Sequence, residues 1–127
     1  MHGSETSNPK ILLIEDAMAV QQALKLALQT HDLEPVAFSD GAGCIEYIDR
    51  QAPYLDQIQG AIIDYHLPDI NGIQLATTLN RQLPAAAKIV LISGQSADWL
   101  RRHHTRVGCW PHLHKPFSIE QLIEKLR

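Results

Sequence analysis

Four short stretches of this chain carry side chains that could do chemistry together: Glu15-Asp16, Asp64, Ser93 and Lys115-Pro116. The acidic pair and Asp64 each stop a run of apolar residues, Ile11-Leu12-Leu13-Ile14 and Ala61-Ile62-Ile63. One acid at the end of such a run is ordinarily a solvated loop carboxylate. Three brought together from separate runs repel one another, because like charges at close range oppose simultaneous ionisation, and a hard divalent cation resolves the repulsion. Mg²⁺ prefers carboxylate, carbonyl and water oxygens and shares them with phosphates. The expected ligand set is Asp16 and Asp64 directly, Glu15 through water, and the backbone carbonyl of His66. Ser93 ends a further apolar stretch, and Lys115 follows the short stretch Trp110 to His114. A hydroxyl and an ammonium suit the side of a transferred phosphoryl group away from the metal, where charge spreads over three peripheral oxygens. Pro116 strengthens the case for the lysine by constraining its backbone, with a cis bond as one way of doing so.

To bring these residues together, the chain must run as strands that end at one edge. Ile11 to Ile14, Ala61 to Asp64 and Lys88 to Ile92 are too continuously apolar for half-exposed strands and are expected inside a parallel sheet, covered on both faces. Pro35 to Phe38 is expected as a short edge strand, because a proline opens it, and Trp110 to His114 as a short fifth strand. The segments between have helical spacing. Ala17 to Thr30 places Val20, Leu24, Ala27 and Leu28 on one stripe, with Gln21, Gln22, Lys25 and Gln29 opposite. Ser39-Asp40 can cap a helix running to Gln51, and Ile73 to Leu83 reads as a helix stopped by Pro84. Ala97 to Val107 reads as a polar helix closed by Gly108. Ser118 with Gln121 makes a capping box for a last helix that reaches Arg127.

Five strands alternating with five helices predict an α/β fold: a doubly wound five-stranded parallel sheet in the flavodoxin-like order 2-1-3-4-5, with helices on both faces. In that order the helices change sides between strands 1 and 3, and ligands bind there, outside the carboxyl ends of the strands. Glu15-Asp16 and Asp64 stand at that point.

The bulk properties fit one domain. At 127 residues the chain is long enough for one core and too short for two. Its 45% apolar and 20% charged residues are ordinary for a globular protein, and no apolar run approaches a membrane span. Residues 1–9 are polar and turn-prone, a flexible lead-in to a domain over residues 10–127. The formal charge of −3 disfavours direct nucleic-acid binding. Cys44 and Cys109 stand far apart beside small apolar residues and are expected as buried, reduced thiols. With no basic segment followed by an apolar stretch at the amino terminus, the cytoplasm is the expected compartment.

Glu15-Asp16, Asp64-Tyr-His-Leu-Pro-Asp with Gly72, Ser93-Gly94 and His114-Lys115-Pro116-Phe117 together resemble the response-regulator receiver family of two-component signalling, in order along nearly all of Lys10 to Arg127. The resemblance implies that Asp64 is the phosphoacceptor, that Glu15, Asp16 and Asp64 hold Mg²⁺, that Ser93 senses the phosphoryl group and that Lys115 bonds to it. It implies a phosphohistidine donor on a histidine kinase or phosphotransfer domain, and an output domain or protein partner at the helix 4, strand 5 and helix 5 surface, including Trp99 to Arg106. His66, two after the phosphoacceptor, and Gln95, two after Ser93, are implied to tune loss of the phosphoryl group. The chain departs from the family at His112, where a switching Tyr or Phe is usual, and at Gly94, often Ala, which should loosen that loop. The resemblance implies a regulatory domain that assists its own phosphorylation and dephosphorylation rather than an enzyme. Two alternatives stand beside it: a degenerate receiver acting only as an interaction module, and an Asp-nucleophile phosphohydrolase. The latter would want a second Asp where His66 stands.

Overall fold

A computed structural model describes residues 8–103 and 110–127. Ten elements alternate along the chain: β1 (Lys10–Ile14), α1 (Met18–Thr30), β2 (Glu34–Phe38), α2 (Gly41–Gln51), β3 (Ile58–Asp64), α3 (Gly72–Asn80), β4 (Lys88–Ser93), α4 (Ala97–His103), β5 (His112–His114) and α5 (Ile119–Leu126). All strand pairs are parallel, in the order β2-β1-β3-β4-β5, as the alternation predicts, with the proline-opened β2 at an edge.

Alternate residues of a strand face opposite sides of the sheet, and the interior strands fill both. Leu12, Ile14, Ala61, Ile63 and Leu91 pack with Cys44 and Ile48 of α2, Leu75 and Leu79 of α3 and Leu100 of α4. Ile11, Leu13, Ile62, Val90 and Ile92 pack with Leu24 and Leu28 of α1 and Leu122 and Ile123 of α5. Each fully buried Leu or Ile side chain contributes about 1.5–3 kcal/mol relative to an exposed one, so the apolar runs that stop at the polar residues are what hold the strand ends level.

Register then delivers the chemistry. Ile14 pairs with Ile63, Asp64 with Ile92 and Ser93 with His114. Glu15, Asp64, Ser93 and Lys115 therefore reach the same carboxyl edge, at the point where the chain order reverses between β1 and β3.

Several boundaries differ from the sequence expectation. β3 begins at Ile58, so Gln59 and Gly60 lie within the strand. α3 ends at Asn80, and the chain continues in tight turns that carry Leu83 back into the core, with the Leu83 N–H donating to the Leu79 carbonyl at 2.8 Å. Asp40 caps α2 by accepting from the Gly43 N–H at 2.8 Å. The capping box of Ser118 and Gln121 is complete. Gln21 is not on the solvent face: it is buried, and its Nε2 donates to the carbonyls of Glu15 and Phe38 at 2.8 and 3.2 Å. Cys44 is buried, and desolvation pushes its thiol up to about 12. The expected continuation of α4 to Val107, its Gly108 cap and Cys109 lie outside the described residues, as do residues 1–7. No helix among the described residues is long and apolar enough to cross a membrane.

Candidate phosphoacceptor site

The three acids do converge. Glu15, Asp16 and Asp64 each offer a carboxylate oxygen within 4.8 Å of the others. Glu15 is fully buried and Asp64 is 4% exposed, while Asp16 faces solvent. Lys115 meets the two buried members: its Nζ donates to Glu15 Oε1 at 2.8 Å and to Asp64 Oδ2 at 3.2 Å. Part of the repulsion that the sequence assigned to a cation is thus relieved by this ammonium. Three carboxylates against one ammonium still leave a formal charge of −2 at the edge.

Electrostatics follow the packing. Burial, and then the neighbouring Asp64 carboxylate, raises the Glu15 carboxyl above its ordinary value, against the lowering effect of Lys115 and the Ala17 N–H. Burial also works against the charge on Lys115, but its bonds to Glu15 and the charge of Asp64 outweigh it and hold the ammonium above the usual lysine range.

Asp64 is oriented from both sides. Its Oδ1 accepts from the His66 N–H at 3.1 Å while Oδ2 faces Lys115. Glu15 Oε2 accepts from the Ala17 N–H at 3.1 Å, so both of its oxygens are engaged. Gln21 steadies the same corner by tying the Glu15 carbonyl to the end of β2; nothing in the periodicity of α1 marked it. Lys115 and Pro116 are joined by a cis peptide bond, and the Lys115 N–H donates to the Ser93 carbonyl at 2.7 Å. Ser93 is fully buried, and its Oγ accepts from the Gln95 N–H at 2.9 Å. Only oxygen donors converge here, two buried and one open to solvent, which fits a hard divalent cation.

The residues expected from the sequence to tune and to switch lie around this centre. The exposed ring of His66 meets Tyr65 edge-on, centroids 4.7 Å apart, and tilts against Trp99 of α4 at 6.1 Å. Trp99 in turn stacks on His103 at 4.0 Å. Neither the aromatic link to α4 nor its partners could be found by spacing along the chain. His112 is half-buried, and its Nε2 is shut from solvent without a hydrogen-bond partner among the described residues. Burial, then the charges of His114 and Arg101, pushes this imidazole below its ordinary value. An apolar groove of about 560 Å³ opens beside Lys115, between Ala19, Val20 and Ala23 of α1 and Pro116-Phe117. Another of about 600 Å³ lies at the opposite edge, beside Ile58, Lys88 and Leu126, away from these groups.

Residues 11–127 match the family model described as the response regulator receiver domain. Among curated proteins, the transcriptional regulatory protein TrcR of Mycobacterium tuberculosis is 24% identical over 127 residues, covering all of this chain and 47% of TrcR. The sensor protein TorS of Escherichia coli is 34% identical over 80 residues, 63% of this chain and 8% of TorS. The chain spans about half the length of TrcR and of the similar regulator SphR of Synechococcus elongatus, 47% of each. Among solved structures, the receiver domain of the sensor histidine kinase PA1611 from Pseudomonas aeruginosa, with a magnesium ion coordinated in its active site cleft, superposes with a TM-score of 0.78 at 21% identity over 94% of each chain. The response regulator TrrA from Thermotoga maritima, in complex with Mg²⁺ and BeF, gives 0.76 at 22% identity over 93% of this chain and 96% of that one.

Proposed function

The chain belongs to the response regulator receiver domain family of two-component signalling, and we propose that it accepts a phosphoryl group on Asp64 from a phosphohistidine of a histidine kinase or phosphotransfer domain, in the cytoplasm. The observation that carries this reading is the bridge from Lys115 Nζ to both Glu15 and Asp64, with Asp16 beside them at one strand edge.

In the proposed step an Asp64 oxygen bonds to phosphorus as the donor's P–N bond breaks, and the bonding pair leaves on the imidazole nitrogen. Asp64, Asp16 and the His66 carbonyl would hold Mg²⁺ directly, with Glu15 through water. Bound Mg²⁺ would neutralise charge on the phosphoryl oxygens, as its presence in PA1611 and TrrA suggests. The chain's own groups supply position and charge. The His66 N–H and Lys115 fix the carboxylate plane of Asp64, so little rotational freedom is lost at reaction. Lys115, already held charged, is placed to follow the phosphoryl oxygens, and the Ser93 hydroxyl to bond to one of them.

The signal is then a population shift. A new dianionic group on Asp64 draws Ser93 inward and lets α4, β5 and α5 repack around His112, presenting a surface to an output domain or partner. His66 and Gln95 set how long the phosphoryl group lasts. Such a domain regulates rather than turns over a substrate.

The test is mass spectrometry after acetyl phosphate with Mg²⁺. The expected result is one phosphoryl group, on Asp64, and none in Asp64→Asn. Uptake by Asp64→Asn at the wild-type rate would sink the assignment, and no uptake by the wild type would favour an interaction-only module.

A further inference from the structure

Asp69 stands five residues past Asp64, exposed on the loop between β3 and α3. Its carboxylate reaches across to another element. Oδ1 accepts from the Gly41 N–H and Oδ2 from the Ala42 N–H, both at 2.9 Å, at the start of α2. Asp40 takes the next open donor, Gly43. A helix start leaves its first N–H groups without intrahelical partners and favours negative charge. The bond from Gly41, joined by that from Ala42, accordingly holds the Asp69 carboxyl below the usual carboxylate range. Loop and helix also touch directly: a Cβ on Gly41 would fall 2.3 Å from Ile70 Cγ2.

The inner side of the same loop belongs to the phosphoacceptor. The His66 N–H holds Asp64 Oδ1, His66 bridges to Asn71, and the Gly72 N–H closes the loop on the Tyr65 carbonyl at 2.8 Å. Asn71 caps α3 through the Gln74 N–H at 2.9 Å. The loop is therefore tied to Asp64 at one end, to α3 at the other and, through Asp69, to α2 between them.

On the reading of the site as a Mg²⁺-dependent phosphoacceptor, we propose that Asp69 is a positioning residue: by fastening the loop of residues 65–71 to α2, it sets where the His66 backbone carbonyl and the Asp64 carboxylate stand toward the cation. Mg²⁺ demands near-octahedral ligand directions. A loop that visits the right arrangement only part of the time weakens apparent affinity by that fraction.

Asp40→Ala provides the control, since it strips a cap from the same helix without touching the loop. The full chain is titrated with Mg²⁺ by calorimetry as wild type, Asp69→Ala, Asp69→Asn and Asp40→Ala. Asp69→Ala is expected to lose about tenfold in affinity, the lower end of what supporting residues around a metal contribute. Asp69→Asn keeps one acceptor oxygen and should fall between, and it carries the test if the alanine variant does not fold. Asp40→Ala should lower the melting temperature and leave the affinity unchanged. In metal-free protein, amide exchange at Gly72 should quicken in Asp69→Ala alone. Wild-type affinity in Asp69→Ala, or equal losses in Asp69→Ala and Asp40→Ala, overturns the proposal. Asp16→Ala run alongside separates the two failures: if it binds Mg²⁺ like the wild type, the metal site itself is misassigned, and unchanged Gly72 exchange in Asp69→Ala then rejects the clamp as well.

Discussion

The two halves of the carboxyl edge are built to different tolerances. Around β1 and β3 nearly every polar group is committed: Glu15 to Lys115 and Ala17, Asp64 to Lys115 and His66, and the following loop to α2 through Asp69. Around β4 and β5 the constraints thin out. β5 is three residues long, and among the described residues Gly94 has no atom within 4 Å of where a Cβ would stand and His112 Nε2 is buried with no hydrogen-bond partner. A site that must hold reacting atoms in place needs the first kind of region. A surface that must change state needs the second, since ligands shift populations only between arrangements close in energy.

Two glycines put that contrast to the test. A Cβ on Gly72 would sit 2.6 Å from the Asp64 carbonyl oxygen and 2.8 Å from Tyr65 Cα, both backbone atoms that cannot move without moving Asp64. Gly72→Ala should cost about 1–3 kcal/mol of stability, as overpacking does, and slow phosphoryl uptake from acetyl phosphate. Urea denaturation and mass spectrometry measure both. Wild-type behaviour on both counts would mean that the first half is less rigid than its contacts imply. Gly94 presents the opposite case: its φ is not positive, and a methyl group there touches none of the described residues. Gly94→Ala should leave the fold intact and stabilise it by about 0.4–1 kcal/mol through the unfolded chain. A destabilised Gly94→Ala would show that this loop, too, is tightly specified.

The same contrast explains what could be read in advance. The interior strands were legible because burial on both faces demands continuous apolar runs, and each run stops at the polar residue that reaches the edge. Glu15, Asp64 and Ser93 could therefore be grouped from the sequence, and Lys115 joined them at the end of the short fifth strand. Boundaries set by turns rather than by patterning were less visible, as at Asn80, where the helix ends before the apolar period does. Gln21 was placed with the solvent-facing residues because its type is polar, whereas its amide satisfies two buried carbonyls. Asp69 was invisible as a clamp because Gly41 lies 28 residues away, and no local spacing records a contact of that kind. The Trp99 contacts with His66 and His103 are likewise tertiary.

His112 gives the smallest effect and the finest discrimination. Its imidazole is pushed below the ordinary value of 6.5 by burial, then by the charges of His114 and Arg101, and its Nε2 has no hydrogen-bond partner among the described residues. The folded domain therefore holds His112 neutral where the unfolded chain, titrating near 6.5, is already taking up protons. Since stability falls wherever the unfolded state binds more protons than the folded one, His112 should lower stability as pH drops below about 6.5, flattening once the lowered folded value is passed. Glu15 is shifted upward and acts in the opposite sense, so the wild-type profile alone does not isolate the histidine. The difference between the wild type and His112→Phe does, because Glu15 is common to both. The expected outcome is a smaller loss of melting temperature in His112→Phe than in the wild type between about pH 7.5 and 5.5. The effect stays modest because the residue is partly open to solvent, which screens the added charge. Parallel profiles would place His112 with the committed half of the edge and argue against the switching role proposed for it.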